Sequence, residues 1–192
     1  GSGTTAADQS GIGNHGTLAN GPLWVPGQIG SFALNFDGVD DSVNLGNPAV
    51  MQITGPLTLT AWVYPDTFTA SGRIVSKGGQ SGFRGWALNV ESANTWAFRI
   101  GTSPSANVAV TVTPVITTAW THLAGVYDPT VPILRLYTNG VLAGETTAGV
   151  PTEQFNPSAG VFIGRRNDGL LFDGRIDEVR IYTRALSGEA VL

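Results

Sequence analysis

The sequence predicts an all-β fold of two packed antiparallel sheets, and three properties carry that prediction. Apolar and polar residues alternate with period 2 along most of the chain, while helical periodicity is almost missing. The 26 glycines among 192 residues supply frequent turns, and charged residues make up only 12%, about half the usual share. Five Trp, eight Phe and four Tyr provide large groups to bury, so the low charge reflects a packed core and not disorder. The length suits one all-β domain with a full core.

Taken in order, the clearest strands begin with Leu57–Tyr64, which alternates until Pro65 stops it. Trp86–Val90 and Trp96–Ile100 read as two strands around a turn at Ser92-Ala93-Asn94, and Val108–Val112 is another, closed by Pro114. Ile133–Thr138 and Val141–Glu145 flank Asn139-Gly140, a dipeptide suited to the positive φ of a two-residue hairpin turn. Val161–Gly164 and Ile176–Tyr182 complete the series. Large residues at both parities of Ala61-Trp62-Val63-Tyr64 imply a strand whose second side is also covered or faces a ligand. Only Ser187–Leu192 has the character of a helix start. About a dozen short, evenly spaced strands fit a sandwich better than a small barrel. No internal repeat or Pro/Ser-rich linker interrupts the chain. Residues 4–192 therefore read as one domain, with Gly1-Ser2-Gly3 as an expression scar on a domain cut from a longer protein.

Charge and composition exclude several functions. A net charge of -4, with Lys77 the single lysine beside nine arginines, argues against nucleic acid as a partner. Cysteine is absent, so no disulfide or Cys-ligated zinc is available. No apolar stretch approaches the roughly 18 residues of a membrane-spanning helix, so membrane insertion is not expected. His15 and His122 are present but no Gly-x-Ser-x-Gly elbow occurs. Gly11-Ile12-Gly13-Asn14 lacks the following helix and Gly-Lys-Ser/Thr of a phosphate cradle. His122, after Trp120, reads as a satisfied histidine on a sheet face, and His15 as a loop residue facing water.

An ordered series of motifs spans nearly the whole chain. It runs from Asp8-x-Ser10-Gly11-x-Gly13-Asn14-x-Gly16-Thr17 through Gly30-x-x-Ala33-Leu34-x-Phe36-Asp37-Gly38-x-Asp40-Asp41 and Leu59–Val63 to Ile74–Lys77. It continues with Trp120–Asp128, Leu136-Tyr137-x-Asn139-Gly140, Ile163-Gly164-Arg165 and the closing Phe172–Tyr182 followed by Arg184–Ser187. This series resembles the bacterial laminin-G-like family of the concanavalin-A-like lectin/glucanase superfamily. The resemblance implies a concanavalin-A-like jelly roll whose first and last strands are neighbours. It implies a bacterial secreted or cell-surface setting, and it leaves function open, since lectins, adhesion modules and glycosidases share the fold.

Glycosidases need two carboxylates about 5–10 Å apart across a cleft. The superfamily's β-glucan-cleaving enzymes carry a Glu-x-Asp-x-x-Glu run, and none of Glu91, Glu145, Glu153, Glu178 or Glu189 lies in one. Asp177 and Glu178 are adjacent in a strand, so they should point to opposite faces and not share a cleft.

Calcium takes six to eight oxygen ligands, and loops rich in Asp, Asn and Gly suit it. With first and last strands adjacent, Asp8, Asn14, Asp37 and Asp177 form the expected Ca2+ set, stapling the termini. The competing reading is that these residues cap ordinary turns or pair with Arg175, Arg180 or Arg184. For a ligand, aromatic platforms and planar polar groups suit sugars. Gly82-Phe83-Arg84-Gly85-Trp86 and Arg165-Arg166-Asn167-Asp168-Gly169 offer that chemistry, which nominates Arg84, Trp86, Arg166 and Asn167, although Trp62, Trp86 and Trp96 also read as core. The expected role is non-catalytic binding of a glycan or polysaccharide, with adhesion to a surface protein, or a purely structural role, as the alternative and glycoside hydrolysis third.

Overall fold

Two antiparallel sheets face each other across one hydrophobic core in the computed structural model, which describes residues 2–68, 70–79, 84–91 and 94–192. In chain order the strands are β1 (Thr5–Ala6), β2 (Gly16–Ala19), β3 (Leu23–Pro26), β4 (Phe32–Asp37), β5 (Ser42–Gly46), β6 (Leu57–Pro65), β7 (Arg73–Lys77) and β8 (Ala87–Val90). They continue with β9 (Trp96–Ser103), β10 (Ala106–Val112), β11 (Thr121–Asp128), β12 (Ile133–Thr138), β13 (Val141–Thr146), β14 (Val161–Ile163) and β15 (Asp173–Tyr182). The eight-stranded sheet has the order β1-β2-β5-β14-β7-β8-β9-β10, and the seven-stranded sheet β13-β12-β11-β6-β15-β4-β3.

The alternation read in the sequence becomes the two faces of each sheet. Leu57, Leu59, Ala61 and Val63 of β6 are fully buried against Leu88, Phe98 and Ile100 of the facing sheet's strands within the same core. Trp62 and Tyr64, at the other parity, are half-buried on the outside, where Trp62 meets His122 and Tyr64 meets Trp120 and the Arg175 guanidinium. The Asn139-Gly140 turn joins β12 to β13 with φ of 50° and 78° at its two central residues. At Gly125 a Cβ would collide with the Phe98 ring, so the sheets close to their observed spacing only with glycine there.

Two expectations change, and one falls partly outside the described residues. Ser187–Leu192 forms no helix; it lies irregularly on the outside of the seven-stranded sheet, where Leu186 and Val191 bury against Ala124, Val126 and Tyr137. Glycine at 188 and the pull of this apolar strip outweigh a weak helix start. The final strand begins at Asp173, so Asp177 sits within it. Part of the Ser92-Ala93-Asn94 turn, residues Ser92 and Ala93, lies outside the described residues.

Candidate functional site

The registers of four neighbouring strands sort their side chains, because opposed residues in an antiparallel ladder share a face. The row Val75, Leu88, Phe98 and Val110 enters the core and is buried. The alternate rows, Ser76-Ala87-Arg99-Ala109 and Arg73-Asn89-Ala97-Thr111, lie on the outer face of the eight-stranded sheet. Four small residues in these rows, Ser76, Ala87, Ala97 and Ala109, keep that face low.

A recess with about 280 Å³ of empty space, counted to its open mouth, sits on this face. Four arginines line it: Arg73 from β7, Arg99 from β9, Arg84 from the segment before β8, and Arg166 after β14, with Asn107 of β10 beside them. The Arg84 segment can lie against β9 because residue 101 is glycine; a Cβ there would strike the Arg84 carbonyl oxygen. The Arg84 backbone N–H also donates to the Pro104 carbonyl at 3.2 Å.

The electrostatics of the recess are one-sided. Arg99 pairs with Glu91 and donates through Nε to Asn89 Oδ1 at 3.0 Å, and Arg166 donates to Asp168 at 2.5 Å. Arg73 donates only to a neutral carbonyl, that of Ser71, at 3.1 Å. No ion pair within 4.0 Å is formed by Arg73 or Arg84 among the described residues, although the Asp168 carboxylate acts favourably on Arg73, and the Nε of each is buried without an acceptor. Burial first, then the positive fields of Arg99, Arg166 and Arg84, partly opposed by Asp168, bring the Arg73 guanidinium down to about 9. Arg99 is brought down to about 10, again by burial and then by Arg84 and Arg166. Both remain cationic at neutral pH.

The structure thus brings Arg84 and Arg166 together, and adds Arg73, Arg99 and Asn107, which sequence reasoning missed. The signal for Arg99 was present: it is the charged member of an otherwise apolar strand, at the parity opposite Trp96 and Phe98. Trp86 also borders the recess, but its ring is not a platform for a sugar. It shares the parity of Leu88 and Val90, is 0% exposed, and belongs to the core cluster, so its ring faces are covered by protein. Asn167 is exposed on the turn after Arg166 and contributes its carbonyl to Arg165 Nη2 at 3.1 Å; it does not line the recess. Gly82 and Phe83 of the nominated loop lie outside the described residues.

The four residues expected around one cation are not gathered. Asp177 is buried, and its Oδ2 accepts the backbone N–H groups of Gln28 and Ile29, both at 2.9 Å. Asp37 pairs with Asp173 in the β4–β15 ladder, which puts Asp177 four residues along the strand, about 13 Å away at the strand rise. Asp8 folds back on its own loop, accepting from the backbone N–H of Ser10 at 2.8 Å and of Asn14 at 2.9 Å, which holds its carboxyl down at about 2. The Asn14 contact is through its N–H, a donor, and not through a ligand oxygen. Among the described residues, the carboxylates that do converge are Asp37, Asp40 and Asp41, whose candidate ligand oxygens lie within 4.8 Å of one another. Asp41 is buried and accepts the Asp37 N–H at 3.0 Å; burial, then the charges of Asp37 and Asp40, push its carboxyl up.

A second depression lies outside the other sheet, between Trp62, His122, Glu178, Arg180 and Tyr182 and the segment 190–192. Glu178 sits at a β-bulge with φ 48° and binds Arg180 at 2.6 Å. The opposite-face expectation for Asp177 and Glu178 is corrected: Asp177 opposes the outward Trp62, and the bulge keeps the exposed Glu178 on that side as well, while Asp177 is buried and held by the Gln28 and Ile29 N–H groups. His122 departs from the satisfied histidine expected, since its Nδ1 is buried with no partner. No helix of the described residues is long and apolar enough to cross a membrane.

A family model described as the concanavalin A-like lectin/glucanases superfamily, of the laminin-G type, matches residues 37–192. Among curated proteins none matches the chain. Solved structures with the same fold include the binding domain of a paraclostridial mosquitocidal protein, at TM-score 0.78 and 15% identity over 96% of this chain and 48% of that one. Another is the botulinum neurotoxin serotype G binding domain, at TM-score 0.73 and 14% identity over 96% of this chain and 46% of that one. The chain therefore spans about half the length of these toxin domains. A third is domain 4 of an extracellular arabinanase from Geobacillus stearothermophilus, solved with arabinotriose, at TM-score 0.70 and 23% identity over 92% of this chain and 85% of that one.

Proposed function

The chain belongs to the laminin-G-like family of the concanavalin A-like lectin/glucanases superfamily, and on that premise we propose that it is a non-catalytic carbohydrate-binding module of a larger secreted or cell-surface protein. The observation that carries this reading is the donor-lined recess on the outer face of the eight-stranded sheet. A low floor of Ser and Ala, walls of planar guanidinium and amide groups, and an open mouth suit a hydroxyl-rich ligand. The arabinanase domain solved with arabinotriose has this fold over most of its length, which supports the same direction. No carboxylate lines the recess among the described residues, so the acid–base pair of glycoside hydrolysis has no counterpart there.

A glycan array followed by isothermal titration tests the proposal. Micromolar to millimolar binding of a glycan or polysaccharide, lost in Arg99→Ala and without turnover, is the expected result. Turnover would make the chain an enzyme. Binding of no glycan would leave protein adhesion or spacing as the role.

The same reading assigns a Ca2+ ion to Asp37, Asp40 and Asp41. Three carboxylates this close repel one another, and a divalent cation would relieve that repulsion at a turn joining β4 to β5. Its role would be to brace the turn. Excess chelator should lower the melting temperature of the wild type and leave Asp41→Asn unmoved; an unchanged wild-type melt would remove the ion from the proposal.

A further inference from the structure

The charge within the recess says more than its hydrogen-bonding capacity. A neutral sugar needs donors and acceptors in comparable number, because each hydroxyl is both. The recess offers guanidinium donors from four arginines and, from Asn107, one amide, with no carboxylate in its lining among the described residues. Two of the arginines are already balanced, Arg99 by Glu91 and Arg166 by Asp168. Arg73 and Arg84 form no direct ion pair among the described residues, Arg73 feeling only the more distant Asp168, although Arg73 is 4% exposed and the Nε of both is shut off from water and from any acceptor. An unpaired buried guanidinium is costly, and removing the other two counter-charges would only add to the cost. The chain as a whole carries -4, so this concentration of positive charge runs against its overall balance.

We propose that the recess is the anchor subsite for an oxyanion borne on a saccharide, a uronate carboxylate or a sulfate ester, received by Arg73 and Arg84. This rests on the carbohydrate-binding reading and deepens it. A guanidinium fork matches an oxyanion through paired N–H···O bonds, which a hydroxyl cannot reproduce. The enclosed part of the recess is only about 20 Å³, room for a group of about the size of a water molecule. It therefore takes an oxyanion's oxygens and not a whole sugar, and the sugar rings extend over the low outer face between β8 and β10. The buried Asn89, accepting from Arg99 Nε and donating to Glu91, positions Arg99 on the wall, so the subsite is built before the ligand arrives.

Titration calorimetry with the whole chain distinguishes the outcomes, using trigalacturonate, its carboxyl-reduced form, a sulfated oligosaccharide and arabinotriose as probes. Acidic probes should bind at least about tenfold more tightly than the reduced and neutral ones, the loss expected when a charged hydrogen bond goes unmade. Their affinity should fall with added salt and drop by a similar factor in Arg84→Gln, whose melting temperature should be no lower than that of the wild type. Preference among the two acidic probes identifies the oxyanion. Equal binding of acidic and reduced probes, or wild-type affinity in Arg84→Gln, overturns the oxyanion subsite and leaves carbohydrate binding standing. If no saccharide binds but sodium sulfate raises the melting temperature of wild type and not of Arg84→Gln, the carbohydrate reading is overturned and the oxyanion recess survives. If neither binds, both are overturned. Arg73→Gln is a second variant; should it fail to fold, Arg84→Gln, on a half-buried loop, decides the matter alone.

Discussion

At position 177 a buried carboxylate holds the β3–β4 turn through two backbone N–H groups, each 2.9 Å away. Replacing Asp177 with Ala leaves two donors without their charged acceptor, and the expected loss is about 2–3 kcal/mol of unfolding free energy, measured in urea. A loss below about 0.5 kcal/mol would mean that water replaces the carboxylate without penalty. His122 is the residue whose environment should be visible in pH dependence. Burial, and then the positive field of Arg180, lowers its pKa from the ordinary value of 6.5. Trp62 covers one side of it, and the Glu178–Arg180 pair lines the same depression. The folded chain then takes up this proton at a lower pH than the unfolded chain does. Between 6.5 and the depressed value the unfolded state binds more protons, so acidification lowers stability in that window. The melting temperature of the wild type should fall more between pH 7.5 and 5 than that of His122→Gln; parallel profiles would show that His122 does not titrate in this way.

Among the elements, β6, β8 to β10 and β12 to β15 were legible in the sequence as strands, and Asn139-Gly140 as a turn, whereas β4, β7 and β11 entered it only as parts of family motifs and β5 not at all. β1 to β3 were not legible as strands either, since each is only two to four residues long and their pairing comes from the rest of the sheet. The site was half legible. Arg84 and Arg166 stand in polar loops, where side-chain chemistry declares itself, and both reach the recess. Arg73 and Arg99 are single charges inside strands, and only cross-strand register brings them beside the loops. Trp86 misled because a tryptophan after a glycine-containing loop looks like a platform until its parity with Leu88 and Val90 is known. Gly101 is the position at which strand and loop meet. Gly101→Ala should push the Arg84 segment off β9, weakening ligand binding about tenfold or more while costing about 1–3 kcal/mol of stability. Unchanged affinity in a folded variant would show that the Arg84 segment can be held in other ways.

At the scale of the whole molecule, the two sheets share one core but not one order of assembly. In the eight-stranded sheet β14 lies between β5 and β7, and in the seven-stranded sheet β15 lies between β6 and β4. Both central joints are therefore made by strands from the end of the chain, long after their neighbours have been laid down. A fragment of residues 1–156 lacks both strands and should show neither the dispersed amide spectrum nor the cooperative melt of the full chain; a folded fragment would show that the sheets can close without them. During synthesis the consequence is one of timing. As the polypeptide leaves the ribosome, β4, β5, β6 and β7 each wait with an unpaired edge until residues 161–182 emerge, and those open edges are what a chaperone would cover, or a neighbouring nascent chain would wrongly join.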